Sequence, residues 1–413
     1  MTKRLLPDPD LEALIQLLND TAKEPRDSVE PVEPETAPVS SQAGPSPESR
    51  FRLPESTDEG KEWLNRLLDE ARRRDASDLL LVVGAAPVVR VHGKLRAVGG
   101  ETLGPGATGM LCAALVPQPR RSELERDGAV DFAIGRSGVG RFRCNVHRER
   151  EHWSAAVRLL PDRAPELESL HLPPQVARFA ELEHGLVLVT GPTGSGKSTT
   201  MASLVRRLLA RRSVHLITIE DPVEYSHPHG SSVVEHVEIG RDADTFARAL
   251  RSALRQDPDV LLIGEMRDAE SISIAITAAE TGHLVLATLH TGDAPQTVHR
   301  ILDSYPSSQI ETVRVQLSVS LAGIISQQLL PNKDGHGRVP AVEVMVATNA
   351  VRNLIRQGKV AQLKSQIVLE KAAGMLSLDR SLADLVAAGL IDREEARPRA
   401  RDVGEFDAFL RRR

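Results

Sequence analysis

The sequence contains little of what several classes of protein require. Its two cysteines, Cys112 and Cys144, are too few for a four-thiolate zinc cluster or a disulfide framework, which favours a reducing compartment. No apolar run approaches the roughly 18 residues of a membrane-spanning helix, and no apolar segment follows the charges of Lys3 and Arg4. We therefore expect a cytoplasmic protein without a signal peptide and without direct insertion into a membrane.

Two features expected of a nucleic-acid-binding protein are also scarce. Aromatic residues make up 3% of the chain, and 57 Asp and Glu residues outnumber 52 Lys and Arg residues, which gives a formal net charge of -5. Proteins that bind phosphate backbones carry an excess of positive charge, and those that bind single strands stack aromatic rings on the bases. We therefore expect no nucleic acid among the partners.

The first part of the chain has the composition of a linker. Seven prolines lie between Pro25 and Pro54, among Ser, Glu, Ala and Gln, so we predict that residues 1–57 form a disordered extension. Within it, one helical stripe carries four apolar residues: Leu11, Leu14, Ile15 and Leu18. This stripe is typical either of a short docking helix or of a marginal helix without a partner.

Residues 58–163 mix helical and strand patterns. We predict a helix after Asp58 and another over Gly106 to Leu115, from their apolar periodicity. The strand-like stretches are Asp78 to Val83, Pro87 to His92, Ala129 to Ile134, Arg141 to Val146 and Trp153 to Leu160. Helices beside an antiparallel sheet indicate an α+β domain.

Residues 164–400 alternate apolar strands with amphipathic helices. The predicted strands are Leu186 to Thr190, Val214 to Ile219, Val260 to Ile263 and Leu284 to Leu289, with helices beginning near Lys197, Thr245 and Ser271. Continuously apolar strands between helices indicate a parallel sheet covered on both faces, hence an α/β fold class. Residues 401–413 are left as a tail.

A glycine-rich segment connects the first of these strands to its helix and matches G-x-x-x-x-G-K-S/T. The candidate cofactor-binding residues are Gly191, Pro192, Thr193, Gly194, Ser195, Gly196, Lys197, Ser198 and Thr199. In such a loop the backbone N–H groups and the helix N-terminus surround phosphate oxygens. Lys197 would neutralise the β- and γ-phosphates, and the Ser198 hydroxyl would bind Mg²⁺. The segment predicts nucleotide binding.

Carboxylates follow two other strands at the same predicted sheet edge. Glu265 follows Val260 to Ile263, where it would orient and deprotonate an attacking water, or simply form a salt bridge at a strand end. Glu220, Asp221 and Glu224 follow the strand ending at Ile219, and such crowded carboxylates indicate either Mg²⁺ coordination through water or a solvated acidic turn.

Two histidines flank the strand Leu284 to Leu289. His283 and His290 are seven residues apart, which places them on opposite faces of a regular strand. His290 lies at the carboxyl end, where ligands bind in α/β sheets, so it is the better candidate for contact with a γ-phosphate. The alternative for such a histidine is a structural hydrogen bond.

Taken together, four segments resemble the Walker A, Asp box, Walker B and His box of the type II/IV secretion ATPase superfamily. They are GPTGSGKST from Gly191, ITIEDPVEY from Ile217, DPDVLLIGEMRD from Asp257 and TAAETGHLVLATLHT from Thr277. The resemblance extends from Asp58 to about Glu395. It implies an ATPase that uses ATP and Mg²⁺, with Glu265 and Glu220 as catalytic carboxylates and Ser198, Glu220 and Glu224 at the metal.

The same resemblance implies a homo-hexamer with a PAS-like N-terminal domain over residues 58–163 and a RecA-like domain over residues 164–400. Nucleotide would lie between the two domains. Members of the superfamily bring arginines from the N-terminal domain to the phosphates, and Arg143 and Arg158 occupy the matching places. The resemblance adds these two residues and His290 to the catalytic set.

Within the superfamily, Ala350 to Gln357 read AVRNLIRQ and resemble the AIRNLIRE motif of the type IV pilus retraction ATPases, the twitching-motility PilT family. That family requires the motif for retraction but not for hydrolysis. The four-cysteine motif of assembly ATPases is missing, because both cysteines precede the glycine-rich segment. The resemblance therefore implies a retraction motor that acts on a platform protein at the inner membrane, as a peripheral protein, with other pilus motor ATPases as further partners.

Three differences from the sequence pattern of the retraction ATPases leave other functions open. Leu80 replaces the His of the family's ASDLHL segment, Gln357 replaces the final Glu of AIRNLIRE, and the extension precedes the matching region. The alternatives are a pilus assembly ATPase, a type II secretion ATPase, or a regulatory paralogue of the retraction ATPase. The helical stripe of the motif contains Ala350, Leu354 and Ile355. We expect this side to pack, which leaves the polar residues for a partner: Arg352, Asn353, Arg356 and Gln357. The alternative is an ordinary amphipathic surface helix.

Overall fold

The computed structural model describes residues 53–411, except positions 92, 137 and 336. The docking stripe at Leu11 to Leu18 and nearly all of the proposed extension lie outside the described residues. Leu53, which falls within the predicted extension, packs on the first domain. Leu53 is buried and its N–H donates to Glu125 Oε1 at 3.0 Å, so the packed chain begins before Asp58.

The first part of the fold is an antiparallel sheet with three helices. Its elements are α1 (Asp58–Arg73), β1 (Asp78–Leu81), β2 (Val88–Val91), β3 (Lys94–Ala97), α2 (Pro105–Leu115), α3 (Arg121–Asp127), β4 (Ala129–Arg136), β5 (Gly140–Glu149) and β6 (His152–Leu160). The six strands pair in the order β3-β2-β1-β6-β5-β4. The strand predictions and the α+β arrangement are confirmed, with shorter β1 and β2 and longer β4 and β5.

Helix α1 shows how the sequence builds this domain. The Thr57 side chain accepts a hydrogen bond from Gly60 N at 3.1 Å, which satisfies a free N–H at the start of the helix. Acidic residues lie in its first turn and basic residues in its last, which suits the helix dipole. Its apolar side, including Leu64 and Leu68, is buried in the core that α1 and α2 share with the sheet.

The second part of the fold is built on a seven-stranded sheet. Its strands are β7 (Gly185–Thr190), β8 (His215–Glu220), β9 (Val233–Glu238), β10 (Val260–Ile263), β11 (Leu284–Leu289), β12 (Leu321–Pro331) and β13 (Arg338–Val346). Its helices are α4 (Lys197–Leu209), α5 (Phe246–Ala253), α6 (Ala269–Glu280), α7 (Ala294–Leu302), α8 (Ile310–Ser320), α9 (Asn349–Arg356), α10 (Leu363–Leu369), α11 (Leu378–Ala387), α12 (Arg393–Ala396) and α13 (Val403–Arg411). Short 3₁₀ helices occur at Gln118–Arg120, Leu167–Leu170, Pro174–Glu181, Val360–Gln362, Lys371–Ala373 and Arg397–Arg399.

This sheet has the order β13-β12-β7-β11-β10-β8-β9. Only β13 is antiparallel to its neighbour, and the four strands predicted from apolar runs are parallel to one another. They are buried along nearly their whole length because separate apolar clusters cover the two faces. The predicted α/β class is confirmed. Parallel strands also bring the ends of β7, β8, β10 and β11 to one edge of the sheet.

The end of the chain differs from its predicted role as a tail. Residues 403–411 form α13, which packs on α11, and Phe406 is completely buried there. A run rich in Arg and Asp does not suggest a core position, but Phe406, Phe409 and Leu410 supply an apolar side. The helical part therefore continues to residue 411. Among the described residues, no helix has the length and apolar character needed to cross a membrane.

Candidate active site

The glycine-rich segment forms the turn between β7 and α4, as the sequence predicts. Gly191, Gly194 and Gly196 have φ values of +147°, +77° and +87°, a region that favours glycine. A Cβ on Gly191 would lie 2.2 Å from the carbonyl oxygen of Gln327, so a side chain does not fit there. These positions let the loop curl against β12 in front of the N-terminus of α4.

Lys197 and Gln327 hold the shape of this loop. The Lys197 ammonium donates to the carbonyl oxygens of Gly191 at 3.0 Å and Pro192 at 3.1 Å. Burial lowers the pKa of Lys197, although the charges of Glu265 and Glu224 oppose that shift. Gln327 was not identified from the sequence.

Gln327 is a buried side chain of β12 that bridges the loop and the helix. Its Nε2 donates to Ser195 O at 2.7 Å, and its Oε1 accepts from Thr200 Oγ1 at 2.8 Å. Ser195 Oγ is buried without a hydrogen-bond partner among the described residues. Gln327 thus connects the glycine-rich loop to the first turn of α4.

Glu265 lies just beyond β10, between a histidine and an arginine. Its Oε1 is 3.3 Å from His290 Nε2, and its Oε2 is 2.9 Å from Arg267 Nη2. Burial acts to raise the pKa of Glu265, but the Arg267 hydrogen bond and the charges of Arg267 and His290 outweigh it and hold the pKa below its usual value. The carboxylate is therefore ionised at neutral pH and able to accept a proton from water.

Glu220 ends β8 and is the most deeply buried of the predicted site carboxylates. It is 9% exposed, and burial raises its pKa to about 7, opposed by hydrogen bonds from Glu224 N and Thr218. Glu224 N donates to Glu220 Oε2 at 3.3 Å, so the acidic turn curls back on its strand. A cation would favour the ionised form of Glu220.

Arg143 and Arg158 come from the other sheet. They are directly opposite each other in the register of β5 and β6, and both line the same cavity as the glycine-rich loop. Arg158 Nε lies 3.1 Å from Asp78 Oδ1, yet its side chain is 65% exposed. Both arginines that the family resemblance implied therefore lie on the first domain and line the cavity together with the loop.

A single cavity of about 840 Å³ joins these groups. Of the predicted site residues, it is lined by Thr193, Gly194, Gly196, Lys197, Ser198, Thr199, Glu220, Glu224, Glu265, His290, Arg143 and Arg158. Gly191, Pro192 and Ser195 are not among its lining residues. His283 is not either: its ring contacts Ala278 O at 3.0 Å, before β11 begins.

Several lining residues were not predicted from the sequence. They are Tyr225, Phe246, Arg267, Thr288, Leu329 and Arg338, together with Leu159, Leu160, Pro161, Pro222 and Gly264. Asp221, which the sequence grouped with Glu220 and Glu224, also lines the cavity. Tyr225 and Arg267 lie within segments already singled out, so their proximity was a usable signal. Arg338, which donates to Gly194 O at 3.3 Å, lies on a distant hairpin and gave no such signal.

The oxygen donors at this site suit Mg²⁺. Ser198, Glu220 and Glu224 offer a hydroxyl and two carboxylates, the hard ligands that this ion prefers. Among the described residues, no group of three or more His, Cys, Asp or Glu side chains forms a ready metal site.

Comparison with known proteins gives this site its context. Residues 127–394 match the type II/IV secretion system protein family. The chain belongs to this family. The match begins just before β4 and includes the hairpin with Arg143 and Arg158, the glycine-rich loop and every predicted carboxylate.

Two relatives are similar over most of the chain. A twitching motility protein of Neisseria gonorrhoeae is 43% identical over 316 residues, which cover 76% of this chain and 84% of the relative. The type IV pilus retraction ATPase PilT of Pseudomonas aeruginosa is 43% identical over 343 residues, covering 83% of this chain and 99% of the relative.

The fold also matches a solved structure. A crystal structure of the pilus retraction motor PilT with bound ADP superimposes with a TM-score of 0.78 at 45% sequence identity. The match covers 83% of this chain and 98% of that chain.

Proposed function

We propose that the chain is an ATP-hydrolysing motor that powers retraction of type IV pili in twitching motility. The observation that carries the proposal is the single cavity into which the phosphate-binding loop, Glu265 and the arginines of the other sheet converge. The similarity to retraction ATPases over nearly their full length supports the choice of output.

Different residues of this chain bind the phosphates, activate the water and stabilise the departing phosphoryl group. The N–H groups of the loop and Lys197 bind the phosphates, while Glu265 orients water and accepts its proton. His290 contacts the γ-phosphate, and Arg143 and Arg158 stabilise charge as the phosphoryl group leaves. Mg²⁺, held by Ser198 with Glu220 and Glu224, would neutralise phosphate charge when bound.

The architecture that we propose has a PAS-like domain over residues 58–163 and a RecA-like domain over residues 164–400, assembled as a homo-hexamer. Closure of the first domain on the second transmits movement to a platform protein at the inner membrane, where the motor is a peripheral cytoplasmic protein. Other pilus motor ATPases are further partners. The contact of Arg141 Nη2 with Val223 O, across the two domains, supports coupled movement.

A deletion strain tests the output. We expect long, unretracted pili and loss of twitching, restored by the wild-type gene but not by Glu265→Gln. A strain without pili would instead indicate an assembly ATPase, and lost protein secretion with normal pili a type II secretion ATPase. A purified protein that binds ATP without hydrolysing it would indicate a regulatory paralogue.

The proposed homo-hexamer is tested by light scattering of the purified protein with and without nucleotide. A protein that stays monomeric at all concentrations in both conditions would contradict the hexamer.

A further inference from the structure

The short loop that carries His290 is held by a second polar cluster. This loop, residues 290–293, follows β11 and leads into α7. Gly292 O accepts a hydrogen bond from Arg401 Nη2 at 2.5 Å, and Ala294 N donates to Glu343 Oε1 at 2.9 Å. Neither Arg401 nor Glu343 lines the nucleotide cavity.

Glu343 and Arg401 also bind each other. Glu343 is on β13 with 3% exposure, and its second oxygen accepts from Arg401 Nη1. The same guanidinium nitrogen lies 3.9 Å from Asp293 Oδ2, the carboxylate that caps α7. One carboxylate and one guanidinium thus hold both the loop and the first N–H of the helix. Charge-assisted bonds of this kind are strong and directional.

The backbone of Arg401 is fixed as well. Asp379 on α11 is 2% exposed, and its two oxygens accept from Arg401 N at 2.7 Å and Asp402 N at 3.3 Å. The guanidinium therefore projects from a rigid point in the C-terminal helices. Movement of these helices is passed to the backbone of residue 292, two positions after His290.

We propose that Arg401 is a positioning residue for His290 and that it couples the C-terminal helices to the γ-phosphate end of the site. This inference rests on the proposed ATPase function. His290 is 41% exposed, and within the part of the chain that the structure describes its ring pairs with Glu265 alone, so its position depends on the backbone that carries it. A misplacement of about 1 Å at a reacting centre costs roughly 100-fold in rate.

The alternative is that Arg401 only anchors the C-terminal helices. A matched control is available for that role: Arg393 Nη2 pairs with Asp407 Oδ1 at 2.7 Å within the same helices, without contact to the His290 loop. If anchoring were the whole role, Arg401→Ala would lower the melting temperature without changing the kinetics of the folded protein.

The test compares wild type, Arg401→Ala, Arg401→Lys and Arg393→Ala in the full chain. We expect Arg401→Ala to lower kcat by roughly tenfold to 100-fold and to weaken binding of ATPγS, while the Kd for ADP changes by less than about threefold. Arg401→Lys should restore part of kcat, because its ammonium keeps the charge but lacks the planar fork that bonds both Glu343 and Gly292 O. Arg393→Ala should keep wild-type kcat.

A wild-type kcat in folded Arg401→Ala would overturn the inference, as would an equal loss of ADP and ATPγS affinity. If Arg401→Ala does not fold, Glu343→Gln replaces it: the amide oxygen can still accept from Ala294 N, but the charge that holds Arg401 is gone. A wild-type kcat in that variant would again overturn the inference. If the wild-type chain fails to hydrolyse ATP, the proposed function fails, and the comparison of ATPγS with ADP still decides the role of Arg401.

Discussion

Glu265 Oε1 and His290 Nε2 lie 3.3 Å apart just beyond the ends of two adjacent parallel strands. The pair places a proton acceptor next to a group that can donate a hydrogen bond. Since the pKa of Glu265 lies below its usual range, the carboxylate is charged across the neutral range. Loss of the Glu265 charge is therefore expected to lower the rate at acid pH and to have no effect on it at neutral pH.

Glu265→Gln should bind nucleotide normally and lose turnover. Loss of a positioned general base typically costs about 10²-fold to 10⁴-fold in rate, and the amide keeps the size of the side chain. Steady-state ATPase assays and ADP titrations on the same preparation give both quantities. Lys197→Ala is the contrasting variant, because it should abolish binding. Hydrolysis at the wild-type rate by Glu265→Gln would refute the assignment.

Replacement of Gln327 should weaken nucleotide binding more than it lowers kcat. Gln327→Met keeps the volume but removes the bonds to Ser195 O and Thr200 Oγ1, each worth about 1 kcal/mol. We expect the Kd for ADP to rise by roughly tenfold with a smaller change in kcat. Titration of ADP against both proteins measures this. An unchanged Kd would show that the loop keeps its shape without Gln327.

Arg158→Ala should lower kcat far more than it weakens nucleotide binding. Its charge is needed most as the γ-phosphoryl group departs, and it reaches the cavity from the other domain. Arg90→Ala is a matched control, since Arg90 also pairs with Asp78, at 3.5 Å, but does not line the cavity. Equal losses of affinity and rate in Arg158→Ala would instead assign it to binding of the ground state.

The nucleotide loop and its neighbours were predictable because local pattern and sheet geometry agree. A continuously apolar run has to be a buried strand, and parallel strands end at a common edge, so Glu220, Glu265 and His290 had to approach Lys197. Arg143 and Arg158 were indicated by the family resemblance, and the structure places them opposite each other on the hairpin that joins their strands.

The features that were not predicted depend on contacts between segments that are distant in the sequence. Gln327 and Arg338 reach the loop from strands more than 120 residues away, and no local period marks them. The C-terminal residues 401–413 were predicted to be a tail, because a run of charged residues usually lies on the surface. In the structure, Asp379 accepts from the backbone of Arg401 and Glu343 accepts from its side chain, so this charged residue is part of the packed C-terminal helices.

The contacts of Arg352, within the AVRNLIRQ segment, were also not predictable from the sequence. Periodicity predicts that Arg352 is available to a partner, but its guanidinium folds back instead. Nε donates to Ala347 O at 2.9 Å, and Nη1 donates to Ser318 O at 2.9 Å and to Val319 O, at the end of α8. The buried stripe of α9 is Val351 and Ile355, with Ala350 only half-buried.

Single replacements of Arg352 and Asn353 should therefore have different effects on the free energy of unfolding. Arg352→Ala leaves carbonyl oxygens at the end of α8 without their donor, so we expect a loss of about 2 kcal/mol in the free energy of unfolding. Asn353 is exposed, so Asn353→Ala should change stability by less than about 0.5 kcal/mol. Denaturant titrations measure both. Equal stability of the two variants would contradict the inward role of Arg352.

The same pair of variants locates the contact needed for retraction. If Asn353→Ala abolishes retraction in cells with normal ATPase activity, the exposed side of α9 binds the partner. If only Arg352→Ala does so, the segment acts through the packing of α8, and retraction is affected indirectly. Normal retraction in both variants would remove the most specific sequence support for the retraction function.

Stability should fall at acid pH because of a buried histidine away from the cavity. His227 is 6% exposed and stacks on the ring of His236, with centroids 5.9 Å apart. Burial, together with the neighbouring His236, lowers the pKa of His227 from 6.5 to about 4. The unfolded chain therefore binds the proton first, and stability that is fully present above pH 6.5 is lost as the pH falls toward 4. The expected loss between pH 7 and pH 5 is about 2 kcal/mol.

His227→Phe tests this, because the ring remains for stacking but cannot titrate. The difference in unfolding free energy between wild type and His227→Phe should change by about 2 kcal/mol between pH 7 and pH 5, in favour of the variant at pH 5. His299→Gln, at an exposed position on α7, is the control and should follow the wild-type profile. Denaturant midpoints at pH 8, 7, 6 and 5 give the curves. Parallel curves for wild type and His227→Phe would mean that His227 takes up its proton without loss of packing.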